Sequence, residues 1–175
     1  HRGHGGYGRP QKILNSEFRI LNYKMLPVLC GDVFRVAIAA VLAVAAIEAP
    51  IREYMFAVGS GPAHPLTRRN TQRHKLSGSW SVLLKPNGFH VDHFHPVGWL
   101  SSAFYVEVPR SALDAENREG WLRFGQPPSK TKPTMGPEHY TRPKPGRLVL
   151  FPSYMWHGTV PFTTPESRLT IAFDV

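Results

Sequence analysis

The chain has 175 residues, 42% of them hydrophobic and 11% aromatic, with 21 Lys and Arg against 12 Asp and Glu. That length suits about one domain with a substantial core, and the composition excludes a disordered chain. The single cysteine, Cys30, excludes an internal disulfide framework and a cysteine-based zinc site, and it fits a reducing, cytoplasmic location.

In chain order, residues 1–12 are rich in Gly and His and read as a flexible basic tail ahead of one domain over 13–175. Residues 13–23 alternate irregularly and suit a strand or a short helix. Gly31-Asp32 offers a helix N-cap, and the Ala-rich run 33–49 has high helix propensity. Pro50 predicts a kink or a new helix start, and 51–58 continues to a Gly-Ser-Gly-Pro break. The longest apolar run, 36–47, is too short to span a bilayer, so no membrane partner is expected. Residues 13–66 thus form a helical lead-in.

From residue 76 the character changes. Strands are predicted at 77–85, 89–95, 102–109, 120–124, 147–151, 156–162 and 168–175, separated by turn residues. Residues 126–147, rich in Pro, Lys and Thr, read as one long loop of the kind a lid uses. Short strands after a helical lead-in predict a mainly β fold, a sandwich or barrel over 76–175 with helices packed outside.

The net charge of +9 is unevenly placed. Residues 1–12 carry +3, 67–75 carry +4 and 126–147 carry +4, while the remainder is close to neutral. The excess sits in a tail and two loops. No basic helix stripe or aromatic-studded sheet appears, so nucleic acid is not an expected partner.

The string Phe89-His90-Val91-Asp92-His93-Phe94-His95-Pro96 concentrates three histidines and a carboxylate. On a strand, residues two apart share a face. His93 and His95 would point one way, and His90 and Asp92 the other. Either pair offers two metal ligands, and His157, after the strand RLVLF, is the best third. Such a set holds one face of an iron and leaves positions open opposite, as in non-heme Fe(II) oxygenases. Arg168 heads the last strand, RLTIAFDV, sharing a face with Thr170, Ala172 and Asp174. A buried arginine needs a partner. Asp174, Glu107 or the carboxyl terminus could supply it, as could a dicarboxylate ligand gripped by Arg168 and Thr170. The histidines upstream favour the ligand.

The stretches GSWSVLLKPNGFHVDHFHPVGWLSSAFYVEVP and GRLVLFPSYMWHGTVPFTTPESRLTIAFDV resemble the 2-oxoglutarate/Fe(II)-dependent oxygenases found alone or behind tetratricopeptide repeats. The likeness covers about residues 64–175. It implies a double-stranded β-helix, that is, a jelly-roll, cupin-like barrel. The family's His-x-His-Pro falls on His93 and His95, with His157 as distal ligand and Arg168 as co-substrate arginine. His90 and Asp92 match the commoner His-x-Asp by letters and remain the alternative pair.

The resemblance implies Fe(II) on His93, His95 and His157, with 2-oxoglutarate meeting Arg168 and Thr170. Dioxygen would be consumed, and an unidentified small-molecule or protein substrate hydroxylated with release of succinate and CO2. Trp80, Trp99, Phe104, Tyr105 and Trp156 are candidates to line the cavity, and Ser101 and Ser102 to bond the co-substrate. The alternatives are a cupin-like metal enzyme that does not use 2-oxoglutarate, and a non-catalytic basic binding module. Assembly as a homodimer stays open beside a monomer.

Overall fold

The computed structural model describes residues 19–22, 47–114 and 116–175. The basic tail, Cys30 and the predicted helix up to residue 46 lie outside the described residues. The strands among the described residues are β1 (Arg19–Asn22), β2 (Gly78–Leu84), β3 (Leu100–Glu107), β4 (Leu122–Phe124), β5 (His139–Thr141), β6 (Arg147–Pro152), β7 (His157–Thr159) and β8 (Arg168–Asp174). They form two antiparallel sheets, of order β1-β6-β3-β8-β2 and β5-β4-β7. The fold is mainly β, and the described helices are a segment over 47–58 and the short Pro65–Arg68.

The nearly continuous apolar run of β6 has a physical reason: both faces of the large sheet are covered. Leu148 and Leu150 join one core with Leu100, Phe104 and Phe173, closed by Ile51, Tyr54 and Met55 of the helix and by Leu66. Val149 and Phe151 join the other, with Ala103 and Tyr105 of β3 and Leu122 and Phe124 of β4. Successive residues of one strand therefore serve opposite cores. The helix contributes Ile51, Tyr54, Met55 and Val58, the one-face spacing of an amphipathic helix. It includes Pro50, where the sequence predicts a kink or a new start.

Two expectations change. The predicted loop 126–147 contains β5, whose His139, Tyr140 and Thr141 pair with Phe124, Arg123 and Leu122. Three paired residues between prolines are too few to show a period. The predicted strand 89–95 is irregular, and only His93 forms a bridge, to His157. His93 and His157 exchange backbone bonds of 3.0 and 2.9 Å, Thr159 N donates to His90 O at 3.1 Å, and His95 N donates to Ser153 O at 2.8 Å. The segment follows β7 without a continuous ladder. Its departure from regular alternation frees Asp92 to turn toward β4.

Candidate metal centre

His93 and His95 come from this irregular segment, and His157 opens β7. Their rings converge, with centroids 5.2 Å apart for His93–His95, 4.3 Å for His93–His157 and 5.2 Å for His95–His157. One nitrogen from each lies within 4.8 Å of the others. The Nδ1 of each ring has a partner. His93 Nδ1 donates to Val91 O at 2.8 Å, His157 Nδ1 to Met155 O at 2.9 Å, and His95 Nδ1 to Asp174 Oδ2 at 2.6 Å. Carbonyl and carboxylate oxygens only accept, so each Nδ1 carries a proton, and Nε2 is the atom left in each ring to offer a lone pair to a metal. Three imidazoles, each with Nε2 left to bind, form the donor set a first-row divalent metal requires.

Burial pushes the His157 pKa down to about 3; the Met155 carbonyl opposes this, and the neighbouring imidazoles reinforce it. His90 is held down to about 4 by burial, then by the Arg168 charge, then by His93. His90 lies beside His93, ring centroids 6.2 Å apart, and its Nδ1 is 3.4 Å from Thr159 Oγ1. Asp92 is engaged elsewhere. Arg123 Nε and Nη2 donate to its two oxygens at 2.9 and 2.7 Å. Arg123 faces Gly158 across β4 and β7, and a Cβ at Gly158 would meet Asp92 Oδ1 at 2.5 Å. Glycine there lets the carboxylate reach its partner.

Arg168 is 1% exposed and Thr170 is buried beside it on the same face of β8. The Arg168 guanidinium lies over the Tyr105 ring, 5.0 Å from its centroid. Arg168 makes no ion pair among the described residues. Its Nε and the Thr170 Oγ1 are buried with no hydrogen-bond partner among the described residues. Burial also raises the Tyr105 pKa, with the Arg168 charge pulling the other way. The protein partners weighed for Arg168 are occupied: Asp174 bonds His95 and Ser101, Glu107 accepts from Ser167, and the Val175 carboxyl terminus accepts from the Trp99 and Leu100 backbone.

The remaining aromatics divide. Trp80 is 40% exposed and its ring lies 5.9 Å from that of His95. Trp99 and Phe104 belong to the helix-side core instead, and Trp99 Nε1 donates to Leu66 O at 2.9 Å. Ser102 bonds the Phe173 backbone, while Ser101 faces the histidines through Asp174. Sequence reasoning missed Arg123 and the pairing of Asp174 with His95. Asp174 was visible on the Arg168 face, but its partner depends on the register that sets it opposite Ser101.

A sequence profile described as "Putative 2OG-Fe(II) oxygenase" matches residues 78–174, which include every residue of this site. The chain belongs to that family. That family implies Fe(II) and 2-oxoglutarate. Among solved structures it is similar to a prolyl-4-hydroxylase from Pseudomonas putida, at 20% identity and TM-score 0.39, over 55% of this chain and 50% of that one. It is also similar to an oxidoreductase of the 2OG-Fe(II) oxygenase family from Burkholderia pseudomallei, at 10% identity and TM-score 0.43, over 57% of this chain and 43% of that one. The chain thus matches half or less of either relative. No curated protein matches. No helix among the described residues is long and apolar enough to cross a membrane.

Proposed function

We propose that the oxygenase is a 2-oxoglutarate- and Fe(II)-dependent dioxygenase that hydroxylates its substrate with release of succinate and CO2. His93, His95 and His157 hold the iron, and Arg168 and Thr170 hold the co-substrate. The observation that carries this reading is the buried Arg168, without a counter-charge among the described residues, near the three-histidine cluster. A guanidinium so placed calls for an anion. The orphaned Thr170 hydroxyl beside it supplies a second donor, as a carboxylate would use. A cupin-like enzyme without 2-oxoglutarate leaves this arginine unexplained. The alternative His90 and Asp92 pair suits the metal less well, because both oxygens of Asp92 are bound by Arg123.

The pairing order supports the double-stranded β-helix. β2, β8, β3 and β6, with β1 at the edge, make one sheet and β7, β4 and β5 the other, with residues 90–93 running along β7 as a partial fourth strand. That arrangement sets the histidines and Arg168 on the inner surfaces of facing sheets.

Bound iron would activate dioxygen and, with 2-oxoglutarate, oxidise a C–H bond. The chain's part is orientation and exclusion of water. The Val91 and Met155 carbonyls and the Asp174 carboxylate fix the ring tautomers, Arg168 and Thr170 align the dicarboxylate, and Phe124 and Phe151 pack against His157. The test is succinate formation from 2-oxoglutarate with added Fe(II). Wild type should form succinate, and Arg168→Ala should bind iron but take up 2-oxoglutarate about 10–100-fold more weakly. Stoichiometric iron with no 2-oxoglutarate binding in either protein overturns the co-substrate assignment.

A further inference from the structure

The three histidines are alike in tautomer but not in partner. His93 and His157 donate to backbone carbonyls, which carry no net charge. His95 donates to a carboxylate. Asp174 is itself held in place. Its other oxygen, Oδ1, accepts from Ser101 Oγ at 2.8 Å, and Ser101 Oγ lies 2.9 Å from Ser153 Oγ and 3.2 Å from His95 Nδ1. Register places Ser101 directly across from Asp174, so β3 and β8 present the two side chains together. Ser153 also takes the His95 backbone N–H through its carbonyl, which ties ring and main chain to one network. Gly98 packs tightly here, since a Cβ on it would meet Ser153 Oγ at 2.6 Å.

The common facial site has two histidines and one carboxylate on the metal. Here three imidazole rings converge, and a carboxylate stands one hydrogen bond behind one of them. We propose that Asp174 is a positioning residue of the metal centre. It fixes the tautomer and orientation of His95 and increases electron donation by that ring, so that His95 with Asp174 does the work of the missing carboxylate ligand. Carboxylates behind metal-bound histidines act in this way. The inference rests on the three-histidine reading above.

Two substitutions separate orientation from charge. Asp174→Asn keeps an acceptor oxygen and removes the charge, and Asp174→Ala removes both. The metal-free protein is titrated with Co(II), followed by calorimetry and visible absorption well below the melting temperature of each variant. Co(II) affinity should fall about 10-fold in Asp174→Asn and toward about 100-fold in Asp174→Ala. Ser101→Ala should give a smaller loss, and Arg52→Ala none. Nitrogen NMR of the metal-free protein should show His95 protonated at Nδ1 in wild type and Asp174→Asn, but mixed between tautomers in Asp174→Ala. A purely structural role predicts lower melting temperatures with Co(II) affinity and tautomer unchanged, and that result overturns the inference. Co(II) uptake that is lost in His157→Ala but normal in both Asp174 variants overturns it alone. A wild-type protein that takes up no Co(II) overturns the three-histidine reading and this inference with it.

Discussion

The two faces of the large sheet do different work with alternating residues of the same strands. Toward the helix, Leu100, Phe104, Leu148, Leu150 and Phe173 build a core in which the Trp99 indole N–H is satisfied by Leu66 O and the Ser102 hydroxyl by the Phe173 backbone. Toward the small sheet, Val149, Phe151, Ala103 and Tyr105 share their face with Ser101, Arg168 and Thr170. There, buried polar atoms remain without partners. Such atoms cost stability, and they persist where a ligand makes use of them. One face supplies the stability on which the other face's unsatisfied chemistry depends.

Substitutions on the two faces should therefore separate activity from stability. On the inner face, His157→Ala should abolish succinate formation, a loss larger than the roughly 10–100-fold that removal of an outer partner costs. Next, Arg168→Ala should raise the KM for 2-oxoglutarate by about 10–100-fold, as expected when a charge-assisted hydrogen bond of about 1.5–3 kcal/mol is lost. Metal affinity should stay at the wild-type level in the same titration. On the helix side the pattern reverses. Leu150→Ala, at a fully buried position, should lower unfolding free energy by about 2–5 kcal/mol in a denaturant titration. The folded fraction should keep its turnover, and a loss of turnover at full folding would mean that the faces are not separable.

Asp92→Asn lies between these extremes. It weakens a largely buried ion pair with Arg123, so stability should fall. The loss should stay below the roughly 3–5 kcal/mol of a fully buried pair, because Arg123 keeps some water. The smallest effect is expected at the exposed Glu48–Arg52 pair on the outer helix surface. There Arg52→Ala should leave the melting curve and succinate formation unchanged.

Much of this division was legible along the chain. Alternation in RLTIAFDV separates Arg168, Thr170 and Asp174 from Leu169 and Ile171, because strand geometry has a period of two. Spacing likewise set His93 and His95 together, and their rings do converge. The charge map marked the basic loops but not the contacts their cations make. Arg69, in the basic loop 67–75, donates to the Gly98 and Val97 carbonyls and ties that loop to the segment after Pro96. The same alternation failed for His90 and Asp92, whose side chains have separate partners, because residues 89–95 lack a continuous ladder to enforce the period. β5 escaped notice because three residues between prolines carry no pattern.

Residue types and local spacing alone thus determined a mainly β chain with helices before it, a histidine cluster at one strand end and an arginine on the closing strand. Those features follow from covalent order and the fixed periods of backbone geometry. Only the tertiary structure decided which carboxylate stands behind His95, which arginine claims Asp92 and which aromatic lies under Arg168. Each of those pairings joins residues distant in sequence: 79 positions for His95 and Asp174, and 31 for Asp92 and Arg123. They depend on inter-strand register and on the path of an irregular segment, which only the packed sheets define.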